Sequence, residues 1–401
     1  MLKNYSVYLI GLIPLALIIG PFVGELLLFI IFILCSFNLY KEKKFYFFNN
    51  KILKYFLIFC VYISIVSLFS SEILVSIKSS IFYFRFGVYT ICILYFLSEV
   101  KNSIKIIYII YKYTLLFLLI DSSIQIFFGS DIFGIKPGND DLMRISGPFG
   151  DKYILGSFLQ KIVPVFLYLI LKNFQINKKL SLLDTLILIL AYSLIYRSGD
   201  RSALALITMF GIIFFMINKN FRLRFSLIIF LFIIISTFLS LQNPKIFERN
   251  FIDTIGQFKG KYYEAFMDKD VSETNLDFMV FSFHHQSHYT TALRMFLNKP
   301  FFGHGVKMFR YKCNKFEFVS PKKIEVFGEI KNYGCSTHPH NTYFQLLSET
   351  GIIGFLTIFG LFMFILFKLI NYFINNDKFY PESVLALGIF INLWPLIPTG
   401  N

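Results

Sequence analysis

The feature that most constrains this chain is a succession of apolar runs, each near bilayer-spanning length, separated by polar segments. At membrane depth no water is available to the backbone, so a spanning segment must be a helix of roughly 20 mainly apolar residues. About eleven segments fit that description. They lie near 5–20, 22–40, 52–70, 79–98, 104–127, 153–171, 180–196, 202–218, 224–241, 352–371 and 382–398. The first two are divided only by Gly20-Pro21, and are either two helices or one long kinked segment. Of the 401 residues, 56% are hydrophobic and 16% charged, against about 25% charged in soluble domains. The expected fold is therefore an all-α polytopic integral membrane protein.

A net charge of +15 would point to nucleic acid in a soluble protein, but here its distribution gives another meaning. Basic residues recur in every second connection. They are Lys41, Lys43, Lys44, Lys51 and Lys54; Lys101 and Lys105; Lys172, Lys178 and Lys179; Lys219, Arg222 and Arg224; and Lys368 and Lys378. Positively charged loops stay on the cytoplasmic side. This rule puts the N-terminus inside and loops 71–78, 128–152, 197–201 and 242–345 outside, with no nucleic-acid partner implied. The first apolar run has no small-residue cleavage site, so it reads as a retained anchor. Three regions follow: an N-terminal bundle of about nine helices over 1–241, a large outer loop over 242–345, and C-terminal helices over 346–401. The loop is rich in charges, aromatics, Asn and Gly, and is the expected working surface.

Arginines on the outer face oppose the topological bias, so each asks for a reason: Arg144, Arg197, Arg201, Arg249, Arg294 and Arg310. A planar guanidinium binds phosphate through two parallel hydrogen bonds, and several together can cradle a diphosphate. Pairing with Asp or Glu, such as Asp200 in RSGDRSA, is the structural alternative. In RISGPFGD, turn chemistry accounts for Gly147, Pro148 and Gly150, but not for Arg144. Asp121 and Gln125, near the outer end of an apolar helix, either bind sugar hydroxyls or cap and snorkel. NKPFFGHGV reads as a sharp turn, with His304 a turn residue.

His284, His285, His288, His338 and His340 raise a metal hypothesis, yet no carboxylate or cysteine is spaced as a zinc site requires, so no metal is expected. Cys313 and Cys335 are the cysteines outside the apolar segments. In an oxidising compartment they would pair, bracing the chain ahead of HPHN; otherwise they are two thiols. An imidazole is suited to taking a proton from a hydroxyl near pH 7. His340 is then a candidate base supported by His338 and Asn341, or else an interfacial cap of the helix that follows.

In order along the chain, DSSIQIFFGSDIFG, RISGPFGD, RSGDRSALAL, ALRMFLNKPFFGHGVKMFR and above all HPHNTYFQLLSETGIIGF resemble the O-antigen ligase and O-antigen polymerase superfamily of bacterial envelope glycosyltransferases. The last stretch is similar to that family's hallmark HN-x-Y-x-x-x-L-x-E-x-G-x-x-G. The resemblance implies a GT-C-like helical membrane protein of the bacterial inner membrane with a large periplasmic loop and its active site on the periplasmic face. Its activity would be metal-independent and cofactor-free, with inversion at the anomeric carbon. A glycan would pass from undecaprenyl diphosphate to a sugar hydroxyl, on lipid A core or on a growing polysaccharide, at the surface of the membrane lipid. Carried over by motif, His340 is the base and Arg201 binds the diphosphate, with Arg197, Arg144 and Arg294 as further cationic candidates. The family's second essential arginine stands ahead of a Trp-containing helix in the large loop. Here His288 occupies that region, the loop has no Trp, and Arg294 comes later. His288, Asp121 and Gln125 are left as sugar-binding candidates.

Within the superfamily, ligase, repeat-unit polymerase and protein O-oligosaccharyltransferase share these motifs. A transporter or flippase for lipid-linked sugars would spread polar groups through the middle of several helices or show paired broken helices, whereas here they gather at one face.

Overall fold

The computed structural model describes residues 2–138, 144–177, 181–258, 283–318, 324–326, 329–331, 334–375, 380–396 and 398. Lys178, Lys179 and Lys378 lie outside these residues. Every expected apolar segment carries a helix. The first half has α1 (Leu2–Gly11), α2 (Ile13–Ile19), α3 (Pro21–Glu42), α4 (Lys51–Leu68), α5 (Ile73–Ile81), α6 (Phe84–Glu99), α7 (Ser103–Phe128), α8 (Leu155–Asn177) and α9 (Leu182–Arg197). It continues through α10 (Arg201–Ile217), α11 (Arg222–Gln242), α12 (Pro244–Phe247), α13 (Asp253–Phe258), α14 (Phe283–Asn298), α15 (Phe309–Lys312), α16 (Thr342–Ile374) and α17 (Glu382–Asn392). Among the described residues the exception to helix is a small antiparallel ribbon of β1 (Ile324–Val326) and β2 (Glu329–Lys331), with Glu325 opposite Ile330.

Among the described residues seven helical stretches are long and apolar enough to cross a membrane, and α10 and α17 are shorter apolar helices. Local chemistry sets their ends. Gly20 closes α2 and Pro21 opens α3, so the first apolar pair is two segments, the first of them broken again between α1 and α2. The Asn50 side chain caps α4, accepting from Ile52 N at 2.8 Å, and Asp200 caps α10, accepting from Ala203 N at 3.1 Å. Gly129, at φ 76°, ends α7 in a left-handed residue.

Contacts divide the chain into two compact units. The first comprises Met1–Asn49, Val88–Asn250 and Ile365–Leu393. Its ion pairs join positions that alternating crossings would bring to one side. Lys3 Nζ reaches Glu42 at 2.7 Å and Glu99 at 2.8 Å, Lys44 reaches Glu99 at 2.6 Å, and Lys172 reaches Glu382 at 2.6 Å. α9 is buried along nearly its whole length, as the polar face of no ordinary amphipathic helix could be. α8 and α17 approach closely where Gly388 meets Pro164; a Cβ on Gly388 would stand 2.9 Å from the proline Cβ.

The second unit comprises Asn50–Gly87, Phe251–Phe364 and Trp394–Asn401. Its outer part has an apolar centre of Ala292, Met295, Phe309, Cys313 and Phe318, with Cys335 and Phe344 packed against it. Cys313 and Cys335 form a disulfide with Cα atoms 5.0 Å apart. α16 is kinked at Gly351, where the backbone leaves helical geometry at φ 67°, ψ −166°. That kink receives the 300–305 turn main chain to main chain. Ile352 N donates to Pro300 O at 2.8 Å, His304 N to Ser348 O at 3.1 Å and Gly305 N to Glu349 O at 2.8 Å. A Cβ on Gly351 would run into Phe301 O, and one on Gly303 into the Glu349 main chain, so both glycines are required by the approach itself.

Candidate functional site

In the first unit the chemistry gathers around the Ser198-Gly199-Asp200 turn between α9 and α10. Arg144 Nε donates to Ser198 O at 2.9 Å and Arg249 Nε donates to Gly199 O at 2.8 Å. Gly199 has φ 65°, and a Cβ there would lie 3.2 Å from Arg249 Cδ and 3.3 Å from Arg144 Nε. The absence of a side chain is what lets both arginines close on the turn. Arg197, buried, ends α9, and Arg201 is the first residue of α10, where the helix dipole and the first-turn N–H groups favour an anion. Arg144 and Arg249 therefore close on a turn that Arg197 and Arg201 flank. A guanidinium fixed through Nε presents its remaining donors in a set plane, a geometry suited to phosphate oxygens.

Behind the turn, Gln125 orders the segment that carries Arg144. Its Oε1 accepts from Ser146 N at 2.9 Å and Gly147 N at 2.8 Å, while Nε2 donates to Ile135 O and Gly147 O, both at 3.3 Å. Asp121 is fully buried and its Oδ1 accepts from Ile132 N at 3.0 Å. In this structure both side chains bind main chain, and Arg144 stacks over the Tyr153 ring at 4.4 Å.

In the second unit four imidazoles come together. His340 lies 4.2 Å from His338, 5.5 Å from His288 and 5.7 Å from His285, measured between ring centroids. His285 and His288 share one face of α14, three residues apart. His340 sits on left-handed backbone at φ 56°, a region that costs a non-glycine residue about 1–2 kcal/mol and clusters at functional positions. Asn341 explains how the strain is held. Its Oδ1 caps α16, accepting from Tyr343 N at 2.9 Å and Phe344 N at 3.2 Å, and its Nδ2 donates to Pro395 O at 2.8 Å. Tyr289 stacks on Phe344 with centroids 4.6 Å apart and points its hydroxyl at His340 O, 3.5 Å away. Burial pushes the Tyr289 phenol up, so it remains a donor.

The electrostatics favour a neutral ring at His338. His338 is held below its ordinary pKa by burial, with His340 and Arg310 adding repulsion. Its Nδ1 is 3.0 Å from Thr337 Oγ1. A neutral imidazole can accept a proton, which a cationic one cannot. Among the described residues no group of three or more His, Cys, Asp or Glu side chains is arranged to hold a metal ion.

The sequence expectations are distributed unevenly over these two places. Arg144, Arg197 and Arg201 meet at one turn, and His288, His338 and His340 meet in one cluster. Arg294 is nine residues beyond His285 on α14, about 180° around the helix at 100° per residue, and so lies on its opposite side. Two arginines that the sequence marked only by their place in outer segments also take part, Arg249 at the cationic turn and Arg310 beside His338. Glu349, the acidic position of the HN-x-Y-x-x-x-L-x-E-x-G-x-x-G stretch, is buried, accepting from Phe309 N at 3.2 Å and from Gln345 Nε2 at 3.3 Å, and it ties α16 to α15, which bears Arg310.

Fold and site define a multi-pass all-α membrane protein with an arginine-lined helix start and an imidazole cluster at the cap of a kinked membrane helix. Residues 186–359, which run from α9 into α16 and include the Ser198–Asp200 turn and the histidine cluster but not Arg144, match the O-antigen ligase family. No curated protein matches the chain.

Proposed function

We propose that this protein is a glycosyltransferase of the O-antigen ligase type. It moves a glycan from undecaprenyl diphosphate to a sugar hydroxyl of lipid A core at the periplasmic face of the inner membrane. The carrying observation is His340, held on left-handed backbone by the Asn341 cap with three further imidazoles around its ring. In the reaction the acceptor oxygen attacks the anomeric carbon, the hydroxyl proton passes to the His340 imidazole, and the bond to diphosphate breaks with its electron pair leaving on the phosphate oxygen. Attack opposite the leaving group inverts the anomeric configuration. General base catalysis of this kind contributes typically 10²–10⁴-fold.

The charge that develops on the diphosphate calls for fixed cations, and Arg201, Arg144 and Arg197 supply them without gaining or losing protons. Gln125 acts by fixing the Arg144 segment. Asp121 acts through the 129–135 loop, and His288 and His338 keep the ring of His340 in a neutral, packed surrounding.

The test is His340→Ala expressed in the native host, with envelope glycans separated on a gel. Loss of polymer attached to lipopolysaccharide, with lipid-linked polymer accumulating, supports the ligase. A single attached repeat unit would indicate a polymerase instead, and unchanged glycans would remove His340 from the chemistry.

A further inference from the structure

The turn Pro300–Gly305 lies in the polar outer loop by sequence, yet its bonds lay it along the apolar helix α4. α4 crosses as an apolar helix ending at Leu68. At the level of that end, Gly305 is packed directly on Ser70. Four residues earlier, Phe301 O receives the hydroxyl of Tyr62 at 3.5 Å, and the same hydroxyl donates to Thr350 O at 2.5 Å. Tyr62 is six residues before Leu68, about 9 Å along the helix, and a helical side chain leans further toward the N-terminus. The turn thus descends along α4 from its end into its apolar span.

Non-helical backbone survives at that depth only when protein satisfies its polar groups. Here it does. Gly303 N donates to Lys299 O at 3.0 Å, His304 N and Gly305 N donate to α16, Pro300 O accepts from Ile352 N, and Phe301 O faces Tyr62. The side chains do the opposite. Phe301 is 66% and Phe302 61% exposed, and Val61 and Ile65, which flank Tyr62 on α4, and Ile353, next to Ile352 on α16, are also exposed and apolar. Two exposed phenylalanines, on a turn whose main chain is bonded to α16 and α4 and near exposed apolar helix positions, fit a hydrocarbon surrounding.

We propose that Pro300–Gly305 is a membrane-inserted turn whose Phe301 and Phe302 side chains contact the acyl chains of the outer-facing lipid leaflet. Lys299, at the head of the turn, then carries its ammonium toward the headgroups while its stem lies along apolar surface. The insertion would fix the depth of the kink at Gly351, and with it the start of α16.

Trp394 is the single tryptophan of the chain, so Trp394→Phe gives a background in which one introduced tryptophan reports alone. Phe302→Trp in that background, reconstituted in phosphatidylcholine vesicles, is compared with Phe316→Trp, whose position is 94% exposed between Lys315 and Glu317. The proposal expects blue-shifted emission at 302, loss of that emission in vesicles of brominated phosphatidylcholine, and little quenching by aqueous iodide. The 316 probe should show the reverse. An iodide-quenched, bromolipid-insensitive probe at 302 would overturn the proposal. Phe301→Trp gives a second, independent reading, and Cys313 and Cys335 resisting alkylation in each variant shows that the outer part has folded.

Discussion

The arginine turn and the histidine cluster are both sites of concentrated chemistry, but they are held in different ways. Around Ser198–Asp200 the chain is fixed by side chains reaching main-chain carbonyls, one hydrogen bond at a time, from Arg144, Arg249 and, behind them, Gln125. Around His340 it is fixed by main chain lying on main chain at Gly303 and Gly351, by a disulfide and by stacked rings. The first arrangement should weaken by degrees when a bond is removed. The second should fail as a whole, because a backbone contact cannot give way in part.

The largest effect is therefore expected at the kink. Gly351→Ala places a methyl group against Phe301 O at a backbone angle that alanine disfavours, and folded protein should be lost from detergent extracts. Gly360→Ala, within the same helix and with no atom near the new Cβ, should leave melting unchanged or raise it, by up to about 1 kcal/mol. Equal behaviour of the two variants would break the comparison. Next in size is the crosslink. Cys313→Ser with Cys335→Ser opens a loop spanning 22 residues of sequence separation, worth about 3 kcal/mol on the chain-entropy account. Mass spectrometry after alkylation without reductant checks the starting point, since two labelled cysteines in the unaltered protein would rule the pair out.

At the arginine turn, Gln125→Ala removes four hydrogen bonds to main chain but leaves the surrounding packing, so a graded loss of about 2–3 kcal/mol is expected in a thermal melt. An all-or-none loss of folding there would erase the distinction between the two regions. The smallest effect concerns acid. His304 Nε2–H donates to Met295 O at 2.9 Å, and Nδ1 accepts from the buried Lys312 ammonium at 3.0 Å. Burial, with Lys312 adding repulsion, lowers His304 to about 4. Its usual value near 6.5 applies to the unfolded chain, so between these values the unfolded state binds more protons. Stability is then full above about pH 6.5 and falls as pH drops toward 4, by about 1 kcal/mol near pH 5.5. In His304→Gln that component of the acid slope should disappear.

Much of this was legible in the sequence for physical reasons. The apolar runs and the Gly20-Pro21 break are local signals, and each appears where the local chemistry requires it. HPHN marked the cluster because histidine, proline and asparagine before an apolar helix have few other uses. What remained hidden depends on long-range approach. NKPFFGHGV reads as a turn in isolation, and only α16 and α4 show that its glycines serve a backbone contact and that its phenylalanines face outward. Arg249 and Arg310 stood out as arginines of outer segments, but their partners were hidden, because a carbonyl or a ring far along the chain leaves no trace in a guanidinium's own neighbours.

The central claim is that His340 does chemistry while the arginine turn does binding, and one experiment separates these. Purified protein in proteoliposomes is given undecaprenyl-diphosphate-linked glycan, and donor binding and glycan transfer to lipid A core are measured side by side for His340→Ala and Arg201→Ala. The account predicts that His340→Ala binds donor as the unaltered protein does while transfer falls by about 10²-fold or more, in line with loss of a general base. It predicts that Arg201→Ala loses donor binding. Transfer by His340→Ala at the unaltered rate would contradict it.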